Sequence, residues 1–151
     1  DLHQNRIDLA KKIGATHGVL NRDTTWIDQV LAIVGPTGAD LVVDNTGVPA
    51  VISTCIDLTK SKGKTVLIGV PKEGEKTSIS TLPLHFGKVL TGTHGGDGNP
   101  QEDVPRFLAL SEIGILDLPS LISGTYSLDR INDAIDDMRS ASVSGRCLIG
   151  M

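Results

Sequence analysis

The alternation of helix-like and strand-like segments along the whole chain is the feature that most constrains its fold. Short, unbroken apolar runs such as residues 41–43 are typical of parallel strands that are covered on both faces. Between such runs, apolar residues recur at helical spacing, most clearly from Ile131 to Met138. This pattern predicts an α/β fold, in which helices cover both faces of a doubly wound parallel sheet. We therefore expect a three-layer architecture in a single domain of residues 1–151.

The spacing of apolar residues, together with turn and cap residues, predicts where the individual elements lie. Helices are expected near Asn5, Trp26, Pro49, Glu102 and Ser127, of which Asn5 and Ser127 are predicted caps. Strands are expected at residues 19–20, 41–43, 65–70, 78–82, 88–91, 121–123 and 146–149. Residues 78–82 alternate in the manner of an edge strand.

Composition and charge exclude several classes of function. The net charge is −4 and Lys and Arg are scattered, so we expect no nucleic-acid surface. No apolar run approaches the roughly twenty residues of a membrane span, so we expect no membrane contact. The first residues lack the basic-then-apolar pattern of a secretion signal. Cys55 and Cys147 are predicted to be buried free thiols, which fits a cytoplasmic protein.

The candidate site residues follow the predicted strands, because open α/β sheets bind ligands at the carboxyl ends of their strands. Gly47, Gly69 and Gly92 at three such ends let a ligand approach the main chain, although any one alone can serve a tight turn. At the chain start, Asp1 followed by Arg6 in a first helical turn fits the second half of a dinucleotide-binding βαβ unit. The Gly-rich turn that should precede such an acid by about twenty residues does not occur in the sequence.

The glycine-rich segment from Gly92 to Gly98 has the pattern G-x-x-G-G-x-G and could be taken for a phosphate-binding loop. A phosphate cradle needs a helix N-terminus directly behind its glycines. Here residues 99–101 are predicted to precede the helix, no Lys-Ser or Lys-Thr pair follows, and Asp97 would repel a phosphate. We therefore reject this interpretation.

An ordered set of motifs that runs from Asp1 to Met151 closely resembles the medium-chain zinc-dependent alcohol dehydrogenases. The set consists of Asp1, Arg6, Gly14-Ala15-Thr16, Asp44-Asn45-Thr46-Gly47, Leu67-Ile68-Gly69-Val70-Pro71, Gly92-Thr93-His94-Gly95-Gly96 and Ser144-Gly145-Arg146. The resemblance implies that residues 1–151 form an incomplete Rossmann-type NAD-binding domain. The first βαβ unit and the N-terminal catalytic zinc domain of that family are not included. The implied reaction is hydride transfer between NAD and a primary or secondary alcohol, with an aldehyde or ketone as product.

The resemblance also implies which residues contact the adenosine half of the coenzyme. Asp1 is expected to hold the hydroxyls of the adenosine ribose, with Arg6 beside that ribose. Thr46 is expected to lie in a turn that packs near the same, adenine-side ribose. Arg146 is expected to reach the pyrophosphate, and a solvated charge at a strand start is the alternative. An acid at position 1 favours NAD over NADP, because a 2′-phosphate would meet like charge.

The nicotinamide half is implied to lie against two other strand ends. Ile68, Gly69 and Val70 are expected to line the nicotinamide and to contact its carboxamide through the main chain. Thr93 and Gly95 are expected to supply a second pair of main-chain contacts to the same amide. Together with the adenosine contacts, these residues make up the predicted coenzyme site.

The zinc of this family is implied for the parent protein only, because its Cys and His ligands lie on a separate N-terminal domain. The histidines and cysteines of this chain lack ligand-like spacing, so no metal ligand and no catalytic residue is assigned to it, and the chain alone is predicted to be inactive. Two alternatives remain open. One is a zinc-free quinone or enone reductase of the same superfamily, and the other is a non-enzymatic α/β dimerisation module.

Self-association is a further expectation that the resemblance implies. In relatives, the segment that matches Thr77–Leu82 is an edge strand that pairs with its two-fold mate. A homodimer or homotetramer is therefore expected, with Ile79 and Leu82 at the seam. An ordinary edge strand guarded by Lys76 is the alternative.

Overall fold

The computed structural model describes residues 1–151, which divide into two compact units. One unit comprises residues 1–26 together with residues 100–151, and the other comprises residues 27–99. All paired strands are parallel, and helices separate them along the chain, which confirms the predicted α/β class. The strands are distributed over one three-stranded and one two-stranded sheet.

The unit of residues 27–99 is built on the three-stranded sheet, whose strands end together. The register pairs Asp44 with Leu67, and Leu67 in turn with Gly92, so the last residues of all three strands lie on one row. In sheet order the strands are β1 (Ala39–Asp44), β2 (Thr59–Leu67) and β3 (Val89–Gly92). The helices that accompany them are α2 (Trp26–Val34), α3 (Pro49–Asp57) and the short α4 (Leu82–His85).

Helix α3 connects β1 to β2 and supplies much of the buried surface of this unit. It begins at Pro49, as predicted. The N–H group at the first helical position has no partner within the helix, and proline, which has no N–H group, loses nothing there. Ile52 and Ile56 lie four residues apart on one face, and only 4% and 3% of their surface is exposed. Burying this face holds the helix against the sheet.

The C-terminal end of α3 is closed by polar side chains from the sheet. Thr59 Oγ1 donates to the carbonyl oxygen of Cys55 at 2.7 Å and lies 2.7 Å from Thr65 Oγ1. The buried Lys88 Nζ donates to the carbonyl oxygen of Ile56 at 2.7 Å. These contacts satisfy carbonyls that a helix leaves open at its C-terminus, and a cation there also complements the helix dipole.

The other unit combines a two-stranded parallel sheet with three helices. Asn5 Nδ2 donates to the carbonyl oxygen of Ala141 at 2.9 Å, and Ile7 and Ala134 are buried. The strands are β4 (Ile122–Ser127) and β5 (Arg146–Gly150), and the helices are α1 (Gln4–Lys12), α5 (Pro100–Glu112) and α6 (Ile131–Arg139). No helix of the chain has the length and apolar character that a membrane span requires.

Two predicted strands are wrong. Residues 19–20 form no strand, because only Val19 and Asn21 exchange main-chain hydrogen bonds with Asp1, at 3.1 and 2.8 Å. Residues 77–81 have no regular structure, and Leu82 already begins α4. Pro83 favours that helical turn and cannot donate to a strand ladder, which explains why Leu82 is helical rather than part of a strand.

Several predicted boundaries and burials also differ from the structure. The N-cap of α1 is His3 rather than Asn5, although Asn5 Oδ1 accepts a bond from the nitrogen of Arg6 at 3.0 Å. Ser127 does not cap α6, because a 3₁₀ turn separates the two. Helix α5 begins at Pro100 rather than near Glu102.

Strand β1 is not covered on both faces, since Leu41 and Val43 are 58% and 48% exposed. Cys55 and Cys147 are free thiols, as predicted, but each is half-buried rather than fully buried.

Candidate functional site

The carboxyl row of β1, β2 and β3 brings most of the predicted coenzyme residues to one edge of the unit 27–99. Thr46 follows β1, the segment Ile68–Val70 follows β2, and Thr93 and Gly95 follow β3. Because Asp44, Leu67 and Gly92 share one register row, these residues continue from neighbouring points of the sheet. The edge is where an open parallel sheet binds a ligand.

A buried carboxylate organises the turn after β1. Only 1% of Asp44 is exposed, and its Oδ1 accepts hydrogen bonds from the main-chain nitrogen of Thr46 at 3.2 Å and from Thr46 Oγ1 at 2.6 Å. Its Oδ2 accepts a bond from the main-chain nitrogen of Gly47 at 3.0 Å. Sequence reasoning placed Asp44 at a strand end but did not select it as a site residue. The signal was an Asp at the end of an apolar run, followed two residues later by Thr and then Gly, which favours a side-chain turn.

The turn after β1 and the segment after β2 pack main chain against main chain. The nitrogens of Ile68 and Gly69 both donate to the carbonyl oxygen of Asp44, at 2.7 and 3.0 Å. A Cβ atom on Gly69 would overlap the nitrogen of Gly47 and lie 2.6 Å from the carbonyl carbon of Asn45. Gly47 adopts φ +68°, which favours glycine. No side chain fits between these two segments.

The segment after β2 has main-chain groups that make no main-chain hydrogen bond. Ile68 and Val70 are 49% and 87% exposed. No main-chain hydrogen bond engages the carbonyl oxygen of Ile68 or the N–H group of Val70. The Ile68 carbonyl is therefore an unused acceptor and the Val70 N–H an unused donor. A primary amide has one donor group and one acceptor, so this pair complements it.

The loop after β3 is held by its own contacts. The nitrogen of Thr93 donates to the carbonyl oxygen of Leu67 at 3.2 Å, and Thr93 Oγ1 donates to Asp97 Oδ2 at 2.9 Å. Gly95 is exposed, with φ +60° and open space where a side chain would stand. Its main chain is therefore open to a ligand.

The remaining predicted residues belong to the unit of residues 1–26 and 100–151. Asp1 and Arg6 come together, with Asp1 Oδ2 lying 3.9 Å from Arg6 Nη1 and both side chains partly exposed. Asp1 Oδ1 also accepts a bond from the nitrogen of His3 at 2.9 Å. Arg146 begins β5 opposite Ile122, is exposed and makes no ion pair.

The side chains of this chain do not fit a zinc ion. No group of three or more His, Cys, Asp or Glu side chains lies close enough together to hold a metal. Cys55, the thiol of the unit 27–99, is poorly suited to act as a ligand or nucleophile. Its burial, and secondarily the charge of Asp44, raise the pKa of Cys55 above the ordinary value for a thiol.

Comparison with known proteins decides the family of this chain. A family model described as zinc-binding dehydrogenase matches residues 1–112. The chain belongs to the zinc-binding dehydrogenase family. Among curated proteins, it is 34% identical to alcohol dehydrogenase 1 of Trifolium repens, over 100% of the chain. It is 30% identical to L-threonine 3-dehydrogenase of Shewanella frigidimarina, over 99% of the chain.

Solved structures of the family have the same Rossmann-type architecture. The crystal structure of an alcohol dehydrogenase zinc-binding domain protein from Burkholderia ambifaria superposes over 100% of the chain, with a TM-score of 0.90 and 30% identity. The chain spans 40% of the length of that structure and of the Trifolium repens enzyme, and 42% of the Shewanella frigidimarina enzyme. The predicted family and fold class are thereby confirmed.

Proposed function

We propose that this chain is the coenzyme-binding portion of an NAD-dependent alcohol dehydrogenase. A dehydrogenase role follows from its family, and the relatives include an alcohol and an L-threonine 3-dehydrogenase. The observation that carries the proposal is the common row on which β1, β2 and β3 end, with the free Ile68 carbonyl and Val70 N–H beside it. The main-chain carbonyl and N–H at this edge can pair with the carboxamide of a nicotinamide, and the carboxyl end of a parallel sheet is where such a ligand binds.

We assign the two halves of NAD to different residues of the chain. Ile68 and Val70 would hold the nicotinamide through main-chain groups, and the open main chain at Gly95 would contact the same amide. Asp1 would accept hydrogen bonds from ribose hydroxyls, and its charge would disfavour a 2′-phosphate. Arg6, whose Nη1 lies 3.9 Å from Asp1 Oδ2, would lie beside the same ribose.

When bound, NAD supplies the acceptor for a hydride from an alcohol carbon. The part played by this chain is to bind and orient the coenzyme, so that one face of the nicotinamide is presented to the substrate. The donor set described here does not fit zinc, so no step of the reaction is assigned to a metal held by this chain. We place the zinc and the substrate alcohol with other parts of the parent protein.

Self-association and a cytoplasmic location are further parts of the proposal. Leu82 is 64% exposed and Phe86 is 69% exposed at the two ends of α4, next to the irregular residues 77–81. We propose that this segment forms the contact between subunits, as a loop and short helix rather than as a preformed strand. Replacing Leu82 with Asp should then lower the oligomeric state in sedimentation experiments. Free thiols at Cys55 and Cys147 are consistent with a reducing compartment.

The coenzyme proposal is tested by calorimetric titration of the intact protein with NAD and NADP. We expect NAD to bind at least about tenfold more tightly than NADP, a difference of roughly 1.4 kcal/mol. Gly69→Ala should abolish binding, because its Cβ would lie 2.6 Å from the Asn45 carbonyl carbon. Gly150→Ala is the matched control, since a Cβ there meets nothing closer than 3.8 Å. Undetectable binding of both coenzymes to the unaltered protein would refute the proposal.

A further inference from the structure

We propose that Asp44 is a positioning residue for the nicotinamide end of the coenzyme. The inference rests on the proposed function and adds to it a residue that never touches the ligand. Asp44 is buried, with 1% of its surface exposed, so its carboxylate acts only through the groups that it holds. Those groups belong to two separate segments of the candidate edge.

The side chain of Asp44 fixes the turn after β1. Its two oxygens accept three hydrogen bonds, two from Thr46 and one from the nitrogen of Gly47, at 2.6 to 3.2 Å. Thr46 Oγ1 in turn accepts a bond from the nitrogen of Val48 at 3.1 Å. The hydroxyl of Thr46 therefore links the nitrogen of Val48 to the carboxylate of Asp44 through two successive hydrogen bonds.

The main chain of Asp44 fixes the segment after β2. Its carbonyl oxygen accepts bonds from the nitrogens of both Ile68 and Gly69, at 2.7 and 3.0 Å. These bonds turn the chain so that the Ile68 carbonyl and the Val70 N–H remain free for an amide. One residue therefore couples the shape of the turn to the position of the two groups that we assign to the carboxamide.

A carboxylate suits this position better than its nearest isostere. All three partners of the side chain are donors, and a carboxylate offers two acceptor oxygens. The amide of Asn offers one oxygen and would direct its own NH₂ at a main-chain N–H or a hydroxyl hydrogen. Asp44→Asn therefore keeps the size of the side chain but makes at least one of the three bonds repulsive.

The test compares a ligand that has a nicotinamide with one that lacks it. Binding of NAD and of ADP-ribose to the intact protein is measured by calorimetry for the unaltered form, for Asp44→Asn and for Thr65→Val. We expect Asp44→Asn to weaken NAD binding about tenfold and ADP-ribose binding by less than about twofold. Thr65→Val is the control, because Thr65 is fully buried in the same sheet but its hydroxyl bonds to Thr59, away from the carboxyl row. It should change both affinities equally little.

Equal losses for NAD and ADP-ribose would overturn the inference, because a merely structural role weakens both halves of the site. Unchanged NAD affinity would overturn it as well. Should Asp44→Asn fail to fold, Thr46→Val removes the 2.6 Å bond to Asp44 together with the 3.1 Å bond from the nitrogen of Val48, and Thr46→Ser restores both. Thr46→Val is then expected to lower the ratio of NAD affinity to ADP-ribose affinity by about threefold, with Thr46→Ser close to the unaltered protein, because the loss of a direct contact to the adenosine ribose would weaken both ligands equally. If the unaltered protein binds NAD no more tightly than ADP-ribose, the nicotinamide contributes no affinity. The inference about Asp44 then fails, while the proposal that the chain binds the coenzyme stands. If it binds neither, both fail.

Discussion

The strongest electrostatic prediction concerns the only tyrosine of the chain, Tyr126 on β4. Its hydroxyl donates to Asp137 Oδ2 on α6 at 2.7 Å. This hydrogen bond, with smaller contributions from desolvation and from the charge of Asp137, raises the pKa of Tyr126 to about 12. The guanidinium of Arg130, 5.8 Å from the ring centre, acts in the opposite direction but is the smallest contribution.

Asp137→Asn removes the charge that opposes ionisation while keeping an oxygen that can accept the bond. The pKa of Tyr126 should then fall from about 12 towards the ordinary value of ~10. The tyrosinate absorbance band measures this directly, and subtracting the spectrum of Tyr126→Phe isolates the one residue. Because the folded pKa is raised, the stability contributed by this bond is present below pH ~10 and is lost as the pH rises towards 12. Asp137→Asn should show a smaller alkaline loss, because the amide oxygen still accepts the bond but no longer carries the charge.

Ser142→Ala provides the matched control for this experiment. Ser142 Oγ donates to Asp137 Oδ1 at 3.0 Å, so this variant removes a bond to the same carboxylate without touching the tyrosine. Bonds from Tyr126 and Ser142 both hold the pKa of Asp137 below its usual value, and Ser142→Ala should relieve only part of that effect. Tyr126 should still titrate near 12 in Ser142→Ala. A value near 10 in the unaltered chain, or no change in Asp137→Asn, would refute the reasoning.

Three other predictions follow from contacts in the two units. Lys88→Met should lower the free energy of unfolding by about 1–2 kcal/mol in urea titrations, since it removes the 2.7 Å bond at the end of α3; an unchanged midpoint would contradict this. Cys55 should react slowly with iodoacetamide at neutral pH, and its rate should keep rising beyond pH ~8.5, because burial raises its pKa; a plateau below that pH would argue against it. Asp1→Asn should reduce the preference for NAD over NADP by about tenfold in binding titrations, since like charge no longer opposes the 2′-phosphate; an unchanged ratio would remove Asp1 from the site.

The parts of the fold that could be predicted from the sequence are those whose signal is local. The apolar runs of β1 and β2 and the face of Ile52 and Ile56 on α3 were recognised because spacing alone encodes them. The alternation of residues 78–82 is also a local signal, but it wrongly predicted a strand. Helix α4 begins at Leu82-Pro83, and proline cannot donate to the hydrogen-bond ladder that a strand needs. The exposure of Leu41 could not be predicted, since burial depends on what packs against a strand.

In the candidate site, too, the sequence predicts where a residue lies along the chain better than it predicts a role that depends on distant partners. Thr46, Ile68 and Thr93 were expected at strand ends, and the shared register row confirms that placement. The importance of Asp44 was missed because nothing in its own neighbourhood shows that Ile68 and Gly69 will bond to its carbonyl oxygen. That pairing exists only once β1 and β2 lie side by side.

The candidate edge is built mainly from main-chain groups, and this decides which substitutions should matter. Ile68 and Val70 are assigned to the coenzyme through a carbonyl and an N–H, and the exposed side chain of Val70 packs against nothing that the fold requires. Gly69 contributes by having no side chain, because its Cα lies against the turn after β1. Asp44 acts through a side chain that is hidden from the ligand, and the hydroxyl of Thr46 is one of its partners. Replacing an exposed side chain at this edge should therefore alter coenzyme binding less than replacing one carboxylate oxygen of the buried Asp44. The carboxylate of Asp44 holds in place the main-chain groups to which we assign the coenzyme.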